Sequence, residues 1–408
     1  MRERIFLSAV CASVALGSDA AATSIQAGGT IASDTTWSVD TVKVVSDVVV
    51  DKGATLTIRK GALVEFQAHY SLQVKGRLSA QGAAGDTIRF QSKDTVAGWA
   101  GIRFSEDSAL VDSSRLSLCR FRYGKATGTG ISGYGGAIFA NKYSKLSIAR
   151  CLFFGNTAGS GGGIYLQFSH ARIVNCAFVA NTADFYGGGL LANYSNPAVI
   201  GSLFDRNNAR TGGGIDLQNS APQITNVLAT RNSAVTGSAL RCFSSSPTVR
   251  NTIIWGNHLF PAGEGQVVLH DDPSEPAFSY SLIEGGKAAF TGDGSGTSYT
   301  GTFSDNIDAD PVFEDTSKSN FKLKAGSPAL NKGIPDISSL DLPAVDLAGE
   351  ARVAGGRIDL GPLERQDTTP IRLRPARPGA ITEISRPPRI DALGRCPERW
   401  TGMGIRWF

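Results

Sequence analysis

The sequence predicts an all-β fold, a right-handed parallel β-helix in which three short strands make up each coil of about 25 residues. Three observations predict it. A glycine-rich motif recurs as GGAIFAN from Gly135, GGGIYLQ from Gly161, GGGLLAN from Gly187 and GGGIDLQ from Gly212, with a degraded copy, GSALRCF, from Gly237. The aliphatic residue that follows the glycines is Ile138, Ile164, Leu190, Ile215 and Leu240, at steps of 26, 26, 25 and 25 residues. Two further apolar series keep the same phase: Ile148, Ile173, Val199, Ile224, Val249, and Phe153, Phe178, Phe204, Ala229, Ile254. A fourth series is asparagine throughout: Asn156, Asn181, Asn207, Asn232 and Asn257.

Each element of a coil follows from this phase. Stretches such as Ile164-Tyr165-Leu166, Arg172-Ile173-Val174 and Cys176-Ala177-Phe178 alternate, which places residues i and i+2 on one strand face. Three such strands with their turns use up one period, so successive coils pair as parallel strands about 4.8 Å apart. Identical side chains then stack, and each coil depends on its neighbours to bury its apolar face. The asparagines fit a turn ladder, because their amides bond to the coils above and below and tolerate left-handed backbone. None of Asn156, Asn181 or Asn207 lies in an Asn-x-Ser/Thr sequon. Pro197, Pro222 and Pro247 fall just before a strand, where a missing N–H is least costly. Upstream, Leu56–Ile58, Val64–Phe66, Leu72–Val74, Ile88–Phe90 and Ile102–Phe104 continue as less regular coils.

The expected organisation is a leader over 1–22, first irregular coils over 23–130, regular repeats over 131–290, a closing module over 291–365 and an Arg/Pro-rich disordered tail over 366–408. In the leader, Arg2 and Arg4 precede an apolar run from Ile5 to Gly17, and Ala20–Ala22 supplies small residues for cleavage. The run is too short to span a bilayer, and a buried first strand is the alternative reading. The leader makes the protein secreted or cell-surface, with no integral membrane span. The 40 basic and 36 acidic residues leave a net charge of +4. The tail accounts for that excess, so the body is close to neutral and lacks the net basic charge of a nucleic-acid footprint. Without Cys11 five cysteines remain, which rules out a complete disulfide framework. Cys119, Cys151 and Cys176 share one ladder position with Ser202, Val227 and Thr252, which indicates packing rather than chemistry.

On these residues the chain resembles exported right-handed β-helix proteins of the pectin-lyase-like superfamily. The GGxI and FxxN motifs are also similar to the repeats of polymorphic outer-membrane proteins. Asn306–Phe313, Phe321–Leu330, Asp346–Arg352 and Ile358–Gly361 resemble the closing module called choice-of-anchor Q. Asn331 and Pro362-Leu363-Glu364 depart from that module's common pattern. The resemblance implies a fold and leaves activity open.

The functional readings divide into two. The first is a non-catalytic protein of the cell surface or extracellular space, in adhesion, surface structure or glycan binding. Its candidate surface is the strand after the glycines. Phe139, Tyr165, Leu191, Asp216 and Arg241 are outward positions there, with Asn141, Gln167, Asn193, Gln218 and Phe243 two residues on. Tyr143, Phe168, Phe185, Tyr186 and Tyr194 stand in nearby turns. Rings beside amides suit a sugar's apolar face and hydroxyls; exposed strands also favour these residues without any ligand. The second reading is a polysaccharide lyase or hydrolase acting on an acidic glycan. Its acids and base would be Asp184, Asp205, Asp216 and Arg241, with Asp216 and Arg241 on adjacent coils. A Gly-His-Gly with paired aspartates is missing, and His270-Asp271-Asp272-Pro273 reads best as a solvated turn. Asp305, Asp308 and Asp310 are spaced to hold calcium, the one cofactor suggested, although aspartates also cap turns of this kind.

Overall fold

A computed structural model of the protein describes residues 23–105, 114–271 and 274–366. The leader, Cys11, Cys396, Asp272 and the tail from 367 lie outside the described residues. The architecture is a right-handed parallel β-helix of about 10 turns with almost no helix. Three long sheets run along it. Sheet 1 contains Ile138–Asn141, Ile164–Gln167, Leu190–Asn193, Ile215–Gln218 and Leu240–Phe243. Sheet 2 contains Leu146–Ala149, Arg172–Val174, Ala198–Ile200, Gln223–Thr225 and Thr248–Arg250. Sheet 3 contains Leu152–Phe154, Ala177–Val179, Leu203–Asp205, Leu228–Thr230 and Ile253–Trp255. Sheets 1 and 3 join through one long strand, Thr41–Val50, whose first half pairs with Leu63–Phe66 and whose second half pairs with Leu72–Val74.

The predicted register holds residue by residue. Ile138 pairs with Ile164, Ile164 with Leu190, Leu190 with Ile215 and Ile215 with Leu240, and all five are buried. The phenylalanine stack reaches further back than the obvious repeats. Phe90, Phe121, Phe153, Phe178 and Phe204 follow one another at centroid spacings of 4.9, 4.9, 4.8 and 4.5 Å. Those spacings equal the distance between coils, so each ring lies flat on the next and the core has no layer boundary.

Corners repeat as strictly as strands. The residue leaving sheet 1 is left-handed in the five regular coils: Lys142, Phe168, Tyr194, Asn219 and Ser244 have φ of 54°, 48°, 48°, 51° and 45°. For residues with a Cβ this conformation costs roughly 1–2 kcal/mol. A ladder of buried polar side chains beyond the corners after sheets 1 and 3 offsets it. After sheet 1 the compensating ladder is serine: Ser169 Oγ accepts from Tyr143 N, Ser195 Oγ from Ser169 N, Ser220 Oγ from Ser195 N and Ser245 Oγ from Ser220 N. After sheet 3 it is the predicted asparagine ladder. Asn181 Oδ1 accepts from both nitrogens of Asn156, and Asn207 and Asn232 repeat the pattern one coil on.

The glycine motif has two separate causes. The first glycine of each copy is left-handed, Gly161 at φ 68° and Gly187 at 64°. The second lies where coils touch backbone to backbone: a Cβ on Gly188 would stand 2.4 Å from Gly213 O and 2.5 Å from Asn208 O. Close approach, rather than torsion, excludes a side chain there.

Two features depart from expectation. A short fourth strand precedes the glycines in some coils, as in Thr157–Ser160 and Thr182–Tyr186. The C-terminal module also does more than close the end. Phe290 and Tyr299 cap the core, but the chain from Asp308 then turns back along the outside of sheet 3. Phe313, Phe321, Leu323, Leu347, Leu360 and Leu363 pack on the outward residues Ala177, Val179, Leu203, Leu228, Ile253 and Leu282. Corner asparagines hold it: Asn175 Nδ2 donates to Val345 O and Asp346 O, and Asn226 Nδ2 donates to Asp359 O and Gly361 O.

The motif residues Asp346, Arg352, Asp359 and Glu364 form this module's buried polar centre. Arg352 Nη2 pairs with Glu364 Oε2 at 3.1 Å, and Glu364 also accepts from Ala354 N and Asp359 N. Asp346 accepts from Ala348 N, Glu350 N and Glu364 N. Burial pushes the Asp346 and Glu364 carboxyls up, against the lowering pull of these bonds. All four side chains serve to fasten one loop to another.

Candidate functional site

The outer face of sheet 1 is a shallow platform with two aromatic rims. One rim is the left-handed corner, where Phe168 and Tyr194 are 44% and 51% exposed and stack at 5.1 Å with their planes 14° apart. The other rim is the short fourth strand, where Phe185 and Tyr186 are 52% and 41% exposed. Strand Leu190–Asn193 connects the two rims, and four strand residues span about 13 Å. Between them run the half-buried amides Asn141, Gln167, Asn193 and Gln218, stacked in register.

The floor differs from what the sequence suggests. Phe139 and Tyr165 do point away from the helix axis, but they are buried with Leu191 in a small cluster against Tyr134. The glycine corner folds over them: a Cβ on Gly161 would come within 2.6 Å of Tyr165 Cβ. Tyr165 is therefore only 4% exposed; its hydroxyl accepts from Asn193 Nδ2 at 3.2 Å, and burial raises its pKa. Tyr143 is a correction. It is fully buried, with its hydroxyl donating to Gly76 O at 2.8 Å and lying 2.6 Å from Ser114 Oγ. The physical reason is a one-residue offset: Lys142 holds the exposed corner equivalent to Phe168 and Tyr194, while Tyr143 takes the inward place of the serine ladder.

The acid and base candidates separate. Asp216 and Arg241 meet: Arg241 Nη1 lies 3.3 Å from each carboxylate oxygen, while Thr211 Oγ1 and Gln218 Nε2 donate to Asp216 at 3.0 Å. The Arg241 guanidinium lies 5.9 Å from the Tyr186 ring centre and 5.0 Å from that of Phe243. Burial raises the Asp216 carboxyl, against Arg241, Gln218 and Thr211 which lower it. Asp184 is exposed on the rim strand. Asp205 belongs to sheet 3, where it pairs with Arg231 at 2.7 Å and Arg206 at 3.2 Å. Arg231 also donates to Ser319 Oγ and Thr316 O of the returning module, so Asp205 anchors that module.

Asp305, Asp308 and Asp310 do not converge. Asp308 accepts from Gly285 N, Asp310 from Val312 N, and Asp305 is a left-handed corner at φ 55°. Among the described residues no three His, Cys, Asp or Glu side chains gather as a metal site. Cys119, Cys151, Cys176 and Cys242 are buried and free, and burial raises the thiols of Cys151, Cys176 and Cys242. No described helix is long and apolar enough to cross a membrane.

No protein-family model matches the chain, and no curated protein matches it.

Proposed function

We propose that the protein is an exported, non-catalytic β-helix protein of the cell surface or extracellular space, and that it binds glycan on the outer face of sheet 1. The observation that carries this reading is the pair of exposed rims, Phe168 on Tyr194 and Phe185 beside Tyr186, either side of an amide ladder. Exposed rings cover the apolar face of a pyranose, and amides with one free edge bond its hydroxyls. The pectin-lyase-like and choice-of-anchor Q resemblances agree with a surface role, since the returning module leaves sheet 1 open while it covers sheet 3. The test is a glycan array with the wild type and the Phe168→Ala/Tyr194→Ala variant. Binding to a sugar set that weakens at least tenfold in the variant, with melting unchanged, supports the reading; equal binding by both proteins refutes it.

A polysaccharide lyase or hydrolase is the second reading, favoured by the Asp216–Arg241 pair with its raised carboxyl. In that case incubation with acidic polysaccharides releases unsaturated or reducing ends, and Asp216→Ala abolishes the release. Binding without any product leaves the first reading standing.

A further inference from the structure

The outer face of sheet 2 carries a feature that net charge conceals. Between residues 53 and 172, fifteen Lys and Arg stand against six Asp and Glu. Part of this excess lines one open groove, made of a hollow of about 590 Å³ and an adjoining one of about 380 Å³ that share Gln81 and Arg115. Its charged groups are Arg77, Arg115, Lys145 and Arg172, with the His170 ring beside them, and among the described residues no carboxylate lines it. Asp341 of the returning module touches its end, 3.1 Å from Arg172 Nη2. Arg172 Nη1 is buried and has no hydrogen-bond partner among the described residues.

Register gives these side chains an order. Ser79, Arg115, Ser147 and Arg172 are successive partners across four coils, so a hydroxyl and a guanidinium alternate down one column. Arg77, Lys145 and His170 lie two residues before Ser79, Ser147 and Arg172, on the same outward face. Positive charge therefore steps from side to side as Arg77, Arg115, Lys145, Arg172, advancing one coil, about 4.8 Å, at each step. Such a zigzag matches an extended polymer with an anion on every repeat unit and hydroxyls between. Among the described residues no Phe, Tyr or Trp side chain lines the groove, whereas single-stranded nucleic acid is held by stacking its bases on such rings.

We infer that this groove binds an anionic polysaccharide lengthwise, its carboxylates or sulfates on Arg77, Arg115, Lys145 and Arg172 and its hydroxyls on the serines. The site shares no residue with the sheet 1 platform and does not rest on it. Arginine forks grip planar carboxylates and sulfates in pairs, and the lysine adds a point charge.

The full chain is titrated by calorimetry at low salt with polygalacturonate, dextran sulfate, dextran and duplex DNA. Binding of polygalacturonate or dextran sulfate, weakening steeply with salt, is expected, and which of the two binds separates carboxylate from sulfate recognition. Arg115→Ala/Lys145→Ala weakens it about tenfold or more, while Lys318→Ala, an exposed cation of the returning module, changes it less than twofold. Both substituted groove residues are exposed, and a thermal melt of each variant confirms the fold. The inference is overturned if neither polyanion binds better than dextran, if the double variant binds as the wild type, if Lys318→Ala loses as much, or if DNA binds as tightly as the polysaccharide.

Discussion

Asn207→Ala removes the centre of the asparagine ladder and so tests what holds coil to coil. Asn207 is fully buried. Its Nδ2 donates to Phe178 O and to Asn232 Oδ1, each at 2.9 Å, and its Oδ1 accepts from Asn181 N at 3.1 Å and Asn181 Nδ2 at 2.9 Å. Alanine deletes all four bonds. Asn181 Nδ2 keeps Phe153 O, but the Asn181 N–H loses the acceptor that the Asn207 amide supplied. A net hydrogen bond contributes about 1 kcal/mol and a buried donor left unpaired costs about 1–3 kcal/mol, which together predict a loss of about 3–5 kcal/mol. Urea denaturation measures the loss, and native-state amide exchange locates it. Because solenoid stability is a sum over neighbouring coils, protection should fall first in the coils of Asn181, Asn207 and Asn232. A loss under about 1 kcal/mol, or exchange that rises evenly along the chain, refutes the reasoning.

Gly188→Ala should abolish or severely reduce soluble expression, since its Cβ meets two carbonyls at 2.4 and 2.5 Å, whereas Gly29→Ala, at φ 76° with open space around it, should cost only about 1 kcal/mol in a melt. Arg352→Leu leaves Glu364 buried without its cation, at about 3–5 kcal/mol; limited chymotrypsin digestion should then cut at Phe313 and Phe321 early while the coils resist, and an unchanged digest contradicts this. Asp216→Asn tests linkage. Burial raises the Asp216 carboxyl, so the folded state holds that proton more tightly, and the contribution is full below the unfolded carboxyl range and lost as pH rises through the folded value. The melting-temperature deficit of Asp216→Asn should therefore shrink as pH is raised from roughly 4 to 7; a deficit that grows with pH contradicts the assignment.

What was legible in the sequence was whatever repeats. Ile164, Phe178 and Asn181 each recur in phase because a side chain in a solenoid lies on its own counterpart, so stacking writes itself into spacing. The serine ladder was equally available, since Ser169, Ser195, Ser220 and Ser245 keep steps of 26, 25 and 25, and the signal lay unread beside the larger residues. Tyr143 was misplaced because a side chain at a corner changes from exposed to buried within one residue. Aperiodic features left no such trace. The returning module meets sheet 3 through residues more than a hundred positions apart, such as Asn226 and Asp359. The groove cations lie on separate coils, and Arg115 and Lys145 become neighbours only once register is known. The glycan binding proposed for sheet 1 would draw on the repeating amides, whereas its exposed rings and the groove cations follow no full repeat.

The central claim is the register itself, and disulfide trapping on sheet 2 tests it most directly. Gln223 and Thr248 are parallel partners whose side chains share the outward face, and Arg250 is two residues past that partner. Cysteines at in-register partners lie within the Cα separation of about 4.4–6.8 Å that a disulfide requires. Under mild oxidation Gln223→Cys/Thr248→Cys should cross-link nearly completely, as read by non-reducing peptide mapping, and Gln223→Cys/Arg250→Cys should not. Cross-linking of the second pair in preference to the first, or of neither, would contradict the stacked coil.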